Sequence, residues 1–218
     1  DHINEIIEMI EILISKGFAY VSSGNVLFSV EKYKKYGLLS GRSLKDMISG
    51  SRVDVAEYKD KPGDFILWKP STEDLPGWNS PWGRGRQGWH IECSAMSKKY
   101  VGEQYDIQQG GRDLISPHHG NDLAQSCCAC ASEVRANFWL HYGYVTYEGE
   151  KMSKSLGNFT TINELLFQFN GEAIRYALLQ AHYRAPLSFS KKSLEEAKKS
   201  LSRLYRAVDG FEVNGNPD

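Results

Sequence analysis

Cys93, His118 and Asp122 carry side chains whose types and spacing could do chemistry. His118 and Asp122 are four residues apart, so on a helix both side chains lie on one face. Thiolate, imidazole and carboxylate are all zinc ligands. Each residue also has an ordinary reading. A helical cysteine is often a small buried hydrophobe, and His118-His119 after Pro117 can be the polar start of a helix. Cys127, Cys128 and Cys130 form a rival group, but Cys128 points about 100° away from its neighbour on a helix, which suits a tetrahedral cage poorly.

A second set lies in "GEKMSKSLGN", residues 149 to 158. Lys151 and Lys154 could neutralise a triphosphate whose charge builds up at a leaving pyrophosphate, because fixed cations aimed at developing charge are a large catalytic factor. Flanking glycines would let such a loop close for reaction and open for release. A solvated basic turn is the plain alternative. In "GGRD", Gly110 and Gly111 would admit a ligand close to the backbone and Asp113 could accept from ribose hydroxyls, although Gly-Gly-x-Asp is also a common turn.

Several elements must position these groups. Ile3, Ile6, Ile7, Ile10, Leu13 and Ile14 form one helical stripe over residues 3 to 16, stopped by Gly17. "FAYVSSGNVLFSV" predicts a hairpin turning at Ser23-Gly24-Asn25. "EKYKKYG" predicts a short helix and "DFILWK" a short strand. The Gly- and Pro-rich residues 62 to 88, with Trp68, Trp78 and Trp82, predict a linker or packed loop. Then come a helix over 89 to 100, a strand at "QYDIQ", a loop at "QGGRD", a helix after Pro117 running through "SEV", and a strand "FWLHYGYVTY". This alternation predicts a parallel α/β sheet with ligand sites at the carboxyl edge, and the lysine loop follows its last strand. Beyond residue 161 the pattern is all helix, the last one capped by Ser190.

The chain has 218 residues, 41% apolar and 24% charged, with a net charge of −1. That excludes indiscriminate polyanion binding by a basic surface, so any such partner needs a local patch. No apolar run approaches a membrane span and no secretory signal opens the chain. Crowded cysteines without a disulfide framework fit a reducing cytoplasm. The chain opens inside a helix without an initiator Met and reads as a piece of something longer.

Taken together the motifs carry a resemblance. "KMSKS" at 151 to 155 is identical to the second signature loop of class I aminoacyl-tRNA synthetases. "GWHIECSAM" (88 to 96), "PHHGNDLAQS" (117 to 126), "EKMSKSLGN" (150 to 158), "HYR" (182 to 184) and "GRSLKDMISGSRVDV" (41 to 55) resemble the cysteinyl-tRNA synthetase family, and the likeness runs over nearly the whole chain. The resemblance implies an α/β fold, namely the second half of a Rossmann-like nucleotide-binding fold (86 to 160), with part of a connective insertion before it (1 to 85) and the start of a helical stem-contact region after it (161 to 218). It implies zinc on Cys93, His118 and Asp122, where the family usually has Glu at the last position. It also implies ATP, with Mg2+, met by Lys151 and Lys154 and by Gly111 and Asp113, and a substrate-cysteine pocket lined by Trp89. Gln108 stands where the family has a histidine. A soft thiolate on zinc separates cysteine from serine, which a hydrophobic pocket discriminates poorly. Cysteine and tRNA-Cys are the implied partners, in a cytoplasmic monomer. The family's H-x-G-H signature, its upstream zinc cysteine and its anticodon-binding region have no counterpart in these residues, so the chain alone is expected to be inactive. A cysteine:amino-sugar ligase is one alternative. A non-catalytic zinc- or RNA-binding remnant is the other.

Overall fold

The computed structural model describes residues 2–49, 56–147, 150–152, 157 and 159–211. Two compact units result, residues 1–140 and 141–218.

In the first unit, helix α1 (Ile3–Ser15) buries Ile6, Met9, Ile10 and Leu13 on the stripe that its periodicity predicts. Strands β1 (Ala19–Ser22) and β2 (Asn25–Phe28) pair antiparallel around Ser23 and Gly24, both with positive φ. That backbone matches the twist of a two-residue hairpin. A short helix α2 (Leu44–Ser49) precedes strands β3 (Phe65–Pro70) and β4 (Gly85–Gln87), which complete a four-stranded antiparallel sheet in the order β1-β2-β3-β4. Two expectations are corrected here. Residues 62 to 88 are not a linker, because Trp68 is buried in the core and draws both strands into the sheet. "EKYKKYG" gives only one 3-10 turn, Val30–Lys32, because Tyr33 is extended and Gly37 has φ +91°.

Helix α3 (Trp89–Tyr100), strand β5 (Tyr105–Gly111), helix α4 (Gly120–Cys130) and strand β6 (Ala136–Tyr142) follow. The amide of Tyr105, first in β5, donates to the carbonyl of Arg135, just ahead of β6. The two strands therefore start side by side and run parallel, with α4 as the crossover between them. So the expected parallel pairing holds here, while the larger sheet is antiparallel. "QGGRD" is not all loop: β5 runs through Gly111 and a 3-10 turn, Arg112–Leu114, follows. The α-helix begins two residues later than expected, behind a π-helical turn over Ile115–His119, and stops at Cys130, because Ala131 turns left-handed at φ 52°. Helices α1, α3 and α4 pack together over the sheet. Their shared core includes Ile10, Leu13, Phe28, Trp68, Ile91, Ala95, Ala124 and Cys128.

In the second unit, β7 (Val145–Tyr147) pairs antiparallel with β8 (Glu150–Lys151) and parallel with β9 (Leu187–Phe189). "FWLHYGYVTY" is thus two strands. They break at Gly143, where a Cβ would sit 2.2 Å from the Ala185 carbonyl oxygen. Nor is the chain beyond 161 all helix, since β9 lies between helices α5 (Ile162–Leu166), α6 (Gly171–Leu179) and α7 (Lys191–Val208). β9 escaped notice because it is three residues long and is held by pairing with the distant β7. Met152 packs against the core of this unit, formed by Leu165, Phe169, Ile174, Phe189 and Leu194. As expected, Ser190 caps α7, its hydroxyl accepting from the Ser193 amide at 3.1 Å while Ser193 Oγ accepts from the Ser190 amide. Ser190→Ala leaves an amide of the first turn without its partner. Thermal denaturation is expected to show about 1 kcal/mol of lost stability, and an unchanged melting curve would contradict this role.

Candidate metal centre

Helices α3 and α4 lie against each other, with His118 in the π-helical turn Ile115–His119 just ahead of α4, and residues 25 and more positions apart come to one place. The Cys93 thiol, a His118 ring nitrogen and an Asp122 carboxylate oxygen all fall within 4.8 Å of one another. Zinc bonds of about 2.0–2.3 Å place tetrahedral ligands roughly 3.5 Å apart, so a small contraction closes the set. Among the described residues no other group of three His, Cys, Asp or Glu side chains is so arranged. The rival cysteines do not converge. Cys127 and Cys128 are buried in packing, and the Tyr33 hydroxyl hydrogen-bonds with the Cys127 thiol.

Asp122 is 1% exposed. Its Oδ1 lies 3.0 Å from the Ser94 hydroxyl. Its Oδ2 has no hydrogen bond, and the nearest cation, Nη2 of Arg135, stands 3.5 Å away. A buried carboxylate oxygen left without a donor is costly unless something else meets it, and a divalent cation fits that vacancy in bonding. Burial pushes the Asp122 pKa up, while Arg135, His118 and Ser94 act against the rise. Burial also raises the Cys93 thiol, with the Asp122 carboxylate adding to it, although the residue as a whole is exposed. Metal binding must therefore expel the thiol proton.

His118 and His90 meet through their Nδ1 atoms at 2.8 Å. Burial, with the neighbouring His118, lowers the His90 pKa to about 4, so His90 is neutral at ordinary pH. When His118 donates through Nδ1, its Nε2 keeps the lone pair that ligates a metal. Trp89 is 61% exposed and its ring stacks on His118, with centroids 4.6 Å apart and planes 16° apart.

Gly110 is required by His119, whose ring atom Cε1 would lie 2.8 Å from a Cβ there. Gly111 ends β5, and the Asp113 carboxylate folds back over it, 2.5 Å from where its Cβ would be. Gln108 accepts from the Tyr105 hydroxyl and has its amide 3.5 Å from His119 Nε2. Lys151 ends β8, and its side chain, like the whole of Lys154, lies outside the described residues.

Sequence reasoning missed Ser94, His90 and Arg135. Ser94 and His90 stand in the same helix as Cys93, and a turn-by-turn reading of its buried face could have found them. Arg135 sits in no motif, and only the fold brings it to the site.

Strands β5 and β6 joined through α4, with a thiol, an imidazole and a carboxylate brought together beside them, fit the fold of a class I tRNA synthetase. Residues 1–199 match the family model of the class I (C) tRNA synthetase catalytic domain, and the chain belongs to that family. It is 58% identical over 217 residues to the cysteine–tRNA ligase of Paramagnetospirillum magneticum, covering 98% of this chain and 47% of that protein. It is also 58% identical over 207 residues to the cysteine–tRNA ligase of Rhodospirillum rubrum, covering 95% of this chain and 45% of that one. The chain thus spans about half the length of the curated relatives it matches. Among solved structures, a putative arginyl-tRNA synthetase from Campylobacter jejuni is similar in fold, with TM-score 0.51 and 13% identity over 94% of this chain and 39% of that one. No described helix is long and apolar enough to cross a membrane.

Proposed function

We propose that the chain is the central part of a cysteine–tRNA ligase, which activates cysteine with ATP and transfers it to tRNA-Cys. The observation that carries this is the convergence of Cys93, His118 and Asp122, whose ligand atoms lie within 4.8 Å of one another. The relatives named above support it by their names. In this reading zinc, when bound, supplies a cation soft enough to hold the substrate thiolate in preference to a serine hydroxyl. Trp89, stacked over His118, walls the cysteine pocket and excludes water from it. Gly111 and Asp113 hold the adenosine, the glycine allowing close approach and the carboxylate accepting from the ribose. Lys151 and Lys154 meet the phosphates, with Mg2+ accompanying the ATP, and offset charge on the leaving pyrophosphate. The three regions 1 to 85, 86 to 160 and 161 to 218 serve as connective insertion, catalytic half and stem-contact start. The protein acts as a cytoplasmic monomer.

The test is ATP–pyrophosphate exchange and tRNA-Cys charging by the intact protein. Exchange should depend on cysteine and not on serine, and Lys154→Ala should lower the rate about 10²–10³-fold, as for loss of one preorganised charge-stabilising group. Cysteine joined to an amino-sugar instead of to tRNA-Cys, or RNA binding without any exchange, would overturn this proposal.

A further inference from the structure

Arg135 is buried to 2% exposure and enters none of the roles above. We propose that Arg135 is a positioning residue for the metal centre, one guanidinium that holds the backbones of both ligand-bearing helices so that Cys93 and Asp122 face each other. This rests on the metal-binding part of the proposed function. Nη2 donates to the Cys93 carbonyl at 3.4 Å and to Ser97 Oγ at 2.7 Å, both on α3. Nη1 donates to the Asp122 carbonyl at 2.8 Å and to Ser126 Oγ at 2.6 Å, both on α4, and to Ser94 Oγ at 3.1 Å. Nε donates to the Tyr105 hydroxyl at 2.6 Å, which anchors the fork to β5.

Three features make this more than a buried ion pair. The backbone acceptors are the carbonyls of two of the three ligands themselves. Ser94, which Arg135 also holds, is the hydroxyl that meets Asp122 Oδ1, while Oδ2 has no hydrogen bond and lies 3.5 Å from Nη2. And beside the arginine's own bonds the α3–α4 contact holds one hydroxyl, Ser94, which reaches Asp122 Oδ1 and Gln125 Oε1, and apolar groups such as Ala95 and Ala124. Apolar burial is non-directional, so it can set the spacing of the helices but not their rotation. A planar fork with donors at fixed angles can set rotation. Lysine carries its three donors on a single rotatable nitrogen, with no plane to fix their directions.

The experiment uses the whole 218-residue chain as wild type, Arg135→Met and Arg135→Lys, and the double variant Ser97→Ala/Ser126→Ala. Zinc affinity is read by chelator competition, cobalt(II) substitution reports the thiolate bond and coordination geometry by absorption, and melting is followed alongside. Arg135→Met should weaken zinc about 10–100-fold, the usual effect of losing an outer partner of a metal site, and should flatten the cobalt ligand-field bands. Arg135→Lys should regain most of the melting temperature, since it keeps a cation beside Asp122, without regaining the affinity. Should Arg135→Met fail to fold, the lysine and double-serine variants carry the same expectation, a several-fold loss of affinity in folded protein. Wild-type affinity and an unchanged cobalt spectrum in the folded variants would overturn the proposal. A wild-type chain without any thiolate–cobalt band would instead overturn the metal reading beneath it.

Discussion

Cys93→Ser is expected to remove zinc from the purified chain with little loss of stability. Cys93 is exposed, so its thiol contributes modestly to packing and strongly to the ligand set. Asp122→Ala should remove the metal too, but with a fall in stability. That change leaves the Arg135 guanidinium buried without its counter-charge, a loss on the order of 3–5 kcal/mol for a broken buried pair. Both affinities should fall by more than the ~10–100-fold typical of an outer partner, because a direct bond is lost. Cys127→Ser should leave zinc in place, since its thiol faces Tyr33 and the core. Elemental analysis of the three proteins beside the wild type decides it. Metal retained in both ligand variants, or lost only in Cys127→Ser, would move the site to the cysteine cluster.

The second large effect belongs to Trp68. It is 1% exposed, meets Trp82 edge to face with ring centroids 6.1 Å apart, and lies in the core shared by the sheet with α1, α3 and α4. Trp68→Ala should destabilise the first unit by about 3–5 kcal/mol, a large share of the 5–15 kcal/mol typical of a folded domain. Trp68→Phe should lose clearly less. The indole Nε1 is buried without a hydrogen-bond partner, and removing an unsatisfied donor offsets part of the lost contact. Denaturant unfolding of the two variants checks the order, and a phenylalanine variant as unstable as the alanine one would contradict it. Since α3 and α4 rest on this core, Trp68→Ala should also loosen zinc while Trp68→Phe should not.

The elements that could be read in advance are those whose signal is local. The α1 stripe repeats every three to four residues, Ser190 and Ser193 are three apart at a helix start, and Ser23-Gly24 interrupts two apolar runs. Each of these needs only its own neighbours. The misread stretches are those whose state depends on distant partners. Residues 62 to 88 look like linker because glycine and proline dominate them, yet burial of Trp68 makes two strands there. Likewise β9 is too short to declare itself and exists through its pairing with β7.

The same division runs through the site. The sequence by itself determined the donor types: a thiol at 93, and an imidazole and a carboxylate one helical turn apart at 118 and 122. Its motifs and their order also placed the chain among the class I synthetases. Only the tertiary structure decided that Cys93 joins the other two, that Asp122 Oδ2 faces Arg135 without a hydrogen bond, that Trp89 covers His118, and that Arg135 ties the two helices together. The reason is physical: spacing along one helix sets which side chains share its face, but the meeting of two helices depends on what both bury and on which donors satisfy the carbonyls between them.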